Sequence, residues 1–221
     1  MKRNHSPLLI LLVTLMWMGC ERSPYYGMSE GKVVYELEMD AEGMPAMMSA
    51  MMPSEAVTWF SDGRSCTVME GAGGFFENRL LLDPDKKLFA SLTSMMGKKV
   101  AMVMDSDSVM GKAKKKNLEI DYTGNKKEIA GIMCQEAVIK GDSGAVFRVF
   151  FTDELDVRAP DMGAMFSQID GLMMEYEIEM RDFRLKLKAK EVSADKPDPE
   201  LFTIPKDYEI KKTNNKSQPN S

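Results

Sequence analysis

Three cysteines, one histidine and 22 methionines are the reactive or ligating side chains that draw attention in this chain of 221 residues. The histidine, His5, precedes an apolar N-terminal stretch, so a chain processed after that stretch holds no imidazole. Imidazole is the usual general base near neutral pH and the commonest protein ligand of metals. Ser-His-Asp and Cys-His catalysis and His-rich zinc sites are thereby excluded, and the sequence reads as non-enzymatic, without cofactor or metal. Cys66 and Cys134 allow a disulfide in an oxidising compartment, which would stabilise the fold by roughly 4 kcal/mol in the chain-entropy model. Two buried free thiols and a redox pair are the alternatives. Thioethers can ligate copper(I), and Met44, Met47, Met48, Met51 and Met52 lie close together, but the same side chains suit core packing or the lining of an apolar cavity.

The N-terminus reads Met1-Lys2-Arg3, then an apolar run from Leu8 to Met18, then Gly19-Cys20. This is a signal peptide in form: the run is too short to span a bilayer and ends at a small residue. The stretch Met16-Trp17-Met18-Gly19-Cys20 resembles the lipobox of bacterial lipoproteins, in which the cysteine is acylated and becomes the new N-terminus; Trp17 stands where the pattern has an aliphatic residue. The resemblance implies removal of residues 1–19, lipidation of Cys20 with palmitate or a similar chain, and a tether over residues 20–30. Acyl chains contribute about 0.8 kcal/mol per buried methylene, so the membrane would be a partner through the N-terminal lipid. The implied location is the cell envelope, facing the periplasm and at the outer membrane before the inner, or the cell surface.

Removing Lys2 and Arg3 leaves 27 basic against 34 acidic side chains, a formal charge of −7. A nucleic-acid partner is excluded, because a phosphate-backbone binder needs a basic face. The one dense basic run, Lys112 to Lys116, reads as a solvated helix face. With 44% hydrophobic and 29% charged residues, the body is an ordinary water-soluble domain, assigned to residues 31–210 with a disordered polar tail over 211–221.

Period-two alternation dominates that body and predicts strands with one buried face. From Leu172 to Met180, apolar Met174, Tyr176 and Ile178 alternate with Glu175, Glu177 and Glu179; from Phe183 to Glu191, Leu185 and Leu187 alternate with Lys186 and Lys188. Folding these runs about Arg181-Asp182 pairs Glu179 with Arg184, Glu177 with Lys186, Glu175 with Lys188, and Ile178 with Leu185. A second hairpin joins Ile132–Lys140 to Ala145–Thr152, whose second strand is apolar on both faces. Further strands are expected over residues 32–39, 56–60, 64–70, 79–82, 87–92 and 118–122. Helical character is expected over 45–52, 106–115 and 161–169. The fold class is therefore α+β, mostly antiparallel β: a single curled sheet or half-open barrel with two or three short covering helices.

The stretch Lys127-Glu128-Ile129-Ala130-Gly131-Ile132-Met133-Cys134 resembles the signature of the domain-of-unknown-function 4412 family of exported bacterial proteins. Phe151-Thr152-Asp153-Glu154, Asp170-Gly171-Leu172 and Leu201-Phe202-Thr203-Ile204-Pro205 follow in the family's order. The family implies export and fold but supplies no catalytic residue. More remotely, such a sheet resembles the LolA/LolB type of lipoprotein carrier, which holds acyl chains. That resemblance implies a cavity for a hydrophobic ligand, with Tyr35, Trp59, Phe147, Phe151, Met174, Tyr176, Ile178, Phe183 and Leu185 as candidate lining. The competing expectation is an envelope module with a dry core that docks on a protein partner.

Overall fold

In β10 (Leu172–Met180) and β11 (Phe183–Ser193), apolar and charged side chains alternate one by one, and an extended chain sorts them onto opposite faces. The computed structural model describes residues 23–41, 45, 49–106, 118–141, 146–157, 166, 168–180 and 183–212. The remaining strands are β1 (Glu30–Ala41), β2 (Glu55–Ser61), β3 (Arg64–Glu70), β4 (Phe76–Asp83), β5 (Leu88–Met95), β6 (Lys98–Asp105), β7 (Glu119–Ile129), β8 (Ile132–Lys140), β9 (Val146–Thr152) and β12 (Glu209–Lys212). They form one open sheet in the order β12-β6-β5-β4-β3-β2-β1-β11-β10-β9-β8-β7. Neighbours pair antiparallel, except that β12 lies parallel to β6.

The register read from the charge pattern is present: Ile178 faces Leu185, Glu177 faces Lys186, and Glu175 faces Lys188. The ion pairs, however, run diagonally or to other strands. Arg184 meets Glu177, Lys186 meets Glu38 of β1, and Lys127 of β7 donates to both oxygens of Glu175 at 2.7 and 2.9 Å. Of these, the Lys127–Glu175 pair ties strands that are not neighbours, β7 and β10.

The expected α+β class is corrected. The structure is nearly all sheet, and no helix covers it among the described residues. Of the three helical stretches, most of 106–115 and of 161–169 lies outside the described residues, as do 46–48; in 45–52 the Ser49 N–H donates to the Pro45 carbonyl at 3.0 Å and the Met52 N–H to the Ser49 carbonyl at 3.2 Å. What covers the sheet is irregular chain. Leu155, Val157, Phe166 and Ile169 pack into one apolar cluster, joined by Tyr25 and Met28 of the N-terminal turn. Met28 forms a parallel bridge with Leu155, so residues 25–28 belong to the folded body and not to a free tether. A single 3-10 turn over Pro199–Phe202, capped by Asp198, begins a strap that ends in β12.

Two strands escaped the sequence reading for physical reasons. In β6, Val100, Ala101, Met102, Val103 and Met104 are apolar on both sides, which erases the alternation. The four residues of β12 are exposed and mostly charged, and only the neighbouring β6 makes them a strand.

The sheet's open edge at β7 is broken by an irregularity between Tyr122 and Lys126. Such a bulge and its charges discourage edge-to-edge association. Glu136 of β8 holds the bulge, accepting hydrogen bonds from Thr123 Oγ1 (2.6 Å) and Asn125 Nδ2 (2.7 Å) and pairing with Arg148 Nε (3.2 Å). These partners, Thr123 first, hold its carboxyl below the usual range. A depressed native pKa contributes stability that is present above the unfolded value and lost as pH falls through the native one. The urea midpoint should accordingly drop further for the wild type than for Glu136→Gln between about pH 6 and about pH 3. Parallel profiles for the two proteins would show that Glu136 does no such work.

Candidate functional site

The widest apolar surface is built by alternate residues of β1, β2, β8, β9, β10 and β11. Register places Tyr35 beside Ala56 and Ala189, Leu37 beside Leu187, Leu187 beside Tyr176, and Tyr176 beside Val149. All of these are buried. Two aromatic pairs stiffen the surface: Phe166 meets Tyr176 edge-on at 5.1 Å, and Tyr122 meets Phe151 at 5.8 Å. Tyr35 Oη donates to the Met173 carbonyl at 3.1 Å, fixing β1 to β10 across the intervening strand and satisfying a buried hydroxyl.

The residues singled out as lining divide as follows. Tyr35, Phe151, Tyr176, Ile178 and Leu185 are buried in this one cluster, with Phe147 packed at its margin. Met174 is also buried there, at the register shift between Met173 and Glu175. Phe183 faces Ala41 and Met180 in backbone register, while its side chain lies outside the described residues. Trp59 requires a correction. It points to the other face of β2, where Lys32 lies 5.6 Å over its ring, and it packs against a second cluster.

That second cluster comprises Cys66, Leu81, Ala90, Leu92 and Ala101 under Phe202 and Tyr208 of the strap. The strap is fastened by polar contacts. Lys99 donates to Asp207 at 2.5 Å, Arg64 lies 4.8 Å over Phe202, and Tyr208 Oη donates to Glu77 at 3.4 Å. Phe166, Leu37 and Leu187 are among the many contributors to the first surface that the candidate lining residues did not include. Alternation identifies Leu37 and Leu187, whereas Phe166 sits in a stretch that reads as helix and carries no local sign of its destination.

Of the states open to Cys66 and Cys134, the structure has the separate thiols and not the disulfide. Both are free buried thiols. Cys66 belongs to the second cluster and Cys134 to the first, on strands separated by five others in the sheet. A bridge needs Cα atoms within about 7 Å. Burial pushes each thiol up to about 12, which leaves neither nucleophilic near neutral pH. Cys20, with the rest of residues 1–22, lies outside the described residues.

Fold and surface together define an open, almost wholly antiparallel sheet with one broad apolar face. No family model and no curated protein matches the chain, so the likeness to the domain-of-unknown-function 4412 family rests on the quoted motifs alone. Among solved structures, one described as PNGF-II in a C2 space group superposes with a TM-score of 0.52 at 13% identity, covering 84% of this chain and 31% of that one. The chain thus spans under a third of that protein, and the likeness concerns fold alone. LprF from Mycobacterium bovis superposes with a TM-score of 0.31 at 11% identity, covering 77% of this chain and 90% of the other.

Alkylation of the native protein at about pH 8 should leave Cys66 and Cys134 unmodified, since roughly one thiol in ten thousand is then ionised. Unfolding in urea without reductant should expose both to alkylation. Mass spectrometry that finds both residues unmodified in the unfolded, unreduced chain would restore the disulfide.

Proposed function

We propose that the chain is an envelope lipoprotein, held to a membrane by an acyl group on Cys20, whose sheet accepts acyl chains or a comparable apolar ligand on its broad greasy face. One observation carries the reading. The apolar surface extends over six strands, yet its described cover is a handful of side chains from irregular chain, Phe166 foremost, and no second layer of regular structure. The described cover is held by single backbone hydrogen bonds such as Gly27 N–H to the Glu154 carbonyl and Asp156 N–H to the Met28 carbonyl, so an acyl chain can replace it at lower cost than it could displace a packed helix. Phe166 then occupies the place that a ligand takes against Tyr176. The tyrosine hydroxyls and methionines give the surface the mixed, adaptable character of a binding face for flexible lipid. No reaction is assigned to the protein: the only histidine is His5, and both thiols of the body are buried. The body faces the periplasm or the cell exterior, at the outer membrane by preference.

The competing reading is an envelope module that docks on a protein and holds nothing inside. It is favoured by the nearly complete burial of Tyr35, Ile178 and Leu185, with 4%, 2% and 0% exposure. Extraction of the detergent-free full chain, followed by mass spectrometry of the organic phase, separates the two. The carrier reading expects an acyl species near one equivalent, separate from any lipid that remains bound to Cys20, and a Leu187→Arg substitution should reduce it about tenfold or more. A lipid-free extract from the wild type would leave the competing reading standing. Labelled palmitate should enter the wild type and not Cys20→Ser; equal labelling of both, or of neither, would remove the anchor.

A further inference from the structure

We infer that the chain has a second lipid-contacting element, a tip formed by Phe75, Met95 and Met96 that enters the acyl region of a bilayer. Two loops make this tip. Residues 71–75 connect β3 to β4, and Met96-Gly97 turns β5 into β6. They are held side by side, because the Met96 N–H donates to the Phe75 carbonyl at 3.1 Å and Met95 is the register partner of Phe76.

The three side chains are 53%, 55% and 81% exposed, and Met96 is the most exposed large apolar group described. Across Gly71-Ala72-Gly73-Gly74-Phe75 and Met95-Met96-Gly97 there is no charged or hydrogen-bonding side chain. Backbone groups are partly closed on themselves: the Gly71 N–H donates to the Phe76 carbonyl at 2.9 Å, and the Gly74 N–H to the Gly71 carbonyl at 3.3 Å. That combination suits hydrocarbon, which demands apolar surface and internally satisfied backbone and offers no directional partner.

Met96 supplies an independent sign. It takes φ 51° ahead of Gly97 at 82°, the two-residue hairpin turn that favours Asn, Asp or Gly at its first position. The equivalent turn between β2 and β3 has Asp62 at 51° before Gly63 at 74°, and the one between β7 and β8 has Ala130 at 50° before Gly131 at 80°, but Ala130 packs against the first cluster. Methionine in the left-handed region is unfavourable, and a side chain 81% exposed gains no packing to offset it. A local rule broken without structural return marks a functional position. Glu70 and Lys98, both exposed, stand at the feet of the two loops and set the depth at which charge begins.

The tip is distinct from the N-terminal anchor. Residues 23–29 enter the sheet at Glu30, opposite Ser61 and beside the Asp62-Gly63 turn, whereas the tip lies beyond Glu70 at the other end of β3. Seven residues of strand set these ends about 20 Å apart. The inference therefore stands whether or not Cys20 is acylated.

The test uses the full chain with benzoylphenylalanine at position 96, or at position 62 in a separate variant, mixed with phosphatidylcholine vesicles and irradiated. Lipid adducts should be about tenfold more abundant at 96 than at 62, and should fall to the level at 62 when Phe75→Ser and Met95→Ser are added. Unchanged circular dichroism of that variant, expected because both residues are exposed, separates loss of contact from loss of fold. Equal labelling at 62 and 96, no lipid adduct at 96, or adducts only to a second copy of the chain would each overturn the inference.

Discussion

The molecule depends on burial that repeats every second residue. Along β1, β10 and β11, Tyr35, Leu37, Tyr176, Ile178, Leu185 and Leu187 point one way, and Glu36, Glu38, Glu175, Glu177, Lys186 and Lys188 point the other. A slip of one residue between any two of these strands would set carboxylates against leucines. Register is thus specified by the large cost of burying charge, while individual cross-strand ion pairs contribute only a few tenths of a kcal/mol to about 1 kcal/mol. This hierarchy explains why the ion pairs choose diagonal and distant partners without disturbing the register. The register does not depend on them.

A sheet of twelve strands in one layer has more apolar face than it can cover from within. It resolves this with two clusters on different faces. The first, around β1, β10 and β11, lies under irregular chain between β9 and β10 and under the N-terminal turn. The second, around β3 to β6, lies under the C-terminal strap, whose Phe202 and Tyr208 replace the helix that such a sheet commonly carries. The two edges are treated differently: β7 is broken by a bulge clamped on Glu136, and the far edge is the short, charged β12.

This economy has functional consequences. Surfaces covered by irregular chain exchange their cover more readily than surfaces covered by regular structure. The broad face under Phe166 is accordingly the place proposed for an apolar ligand. Phe75, Met95 and Met96 stand exposed together at the end of β3 to β6 away from the N-terminal turn.

Ten of the twelve strands, the register of β10 on β11 and the shared face of Tyr35, Tyr176, Ile178 and Leu185 were legible in the residues, because alternation is a property of neighbours along the chain and needs no knowledge of the rest. The side to which Trp59 belongs was not, since both faces of β2 are apolar and the choice is made by Phe202, which returns from far along the sequence. The separation of Cys66 from Cys134 was equally hidden: spacing along the chain says nothing of the five strands that come to lie between them. The cover was hidden for a related reason, as Leu155 and Phe166 carry no local sign of where they pack, and Leu155 is placed by its bridge to Met28 far back in the chain. Sequence by itself determined which residues turn inward from each strand. Only the tertiary structure decided what meets them there, because long-range contact depends on strand order, and strand order is written in no local pattern.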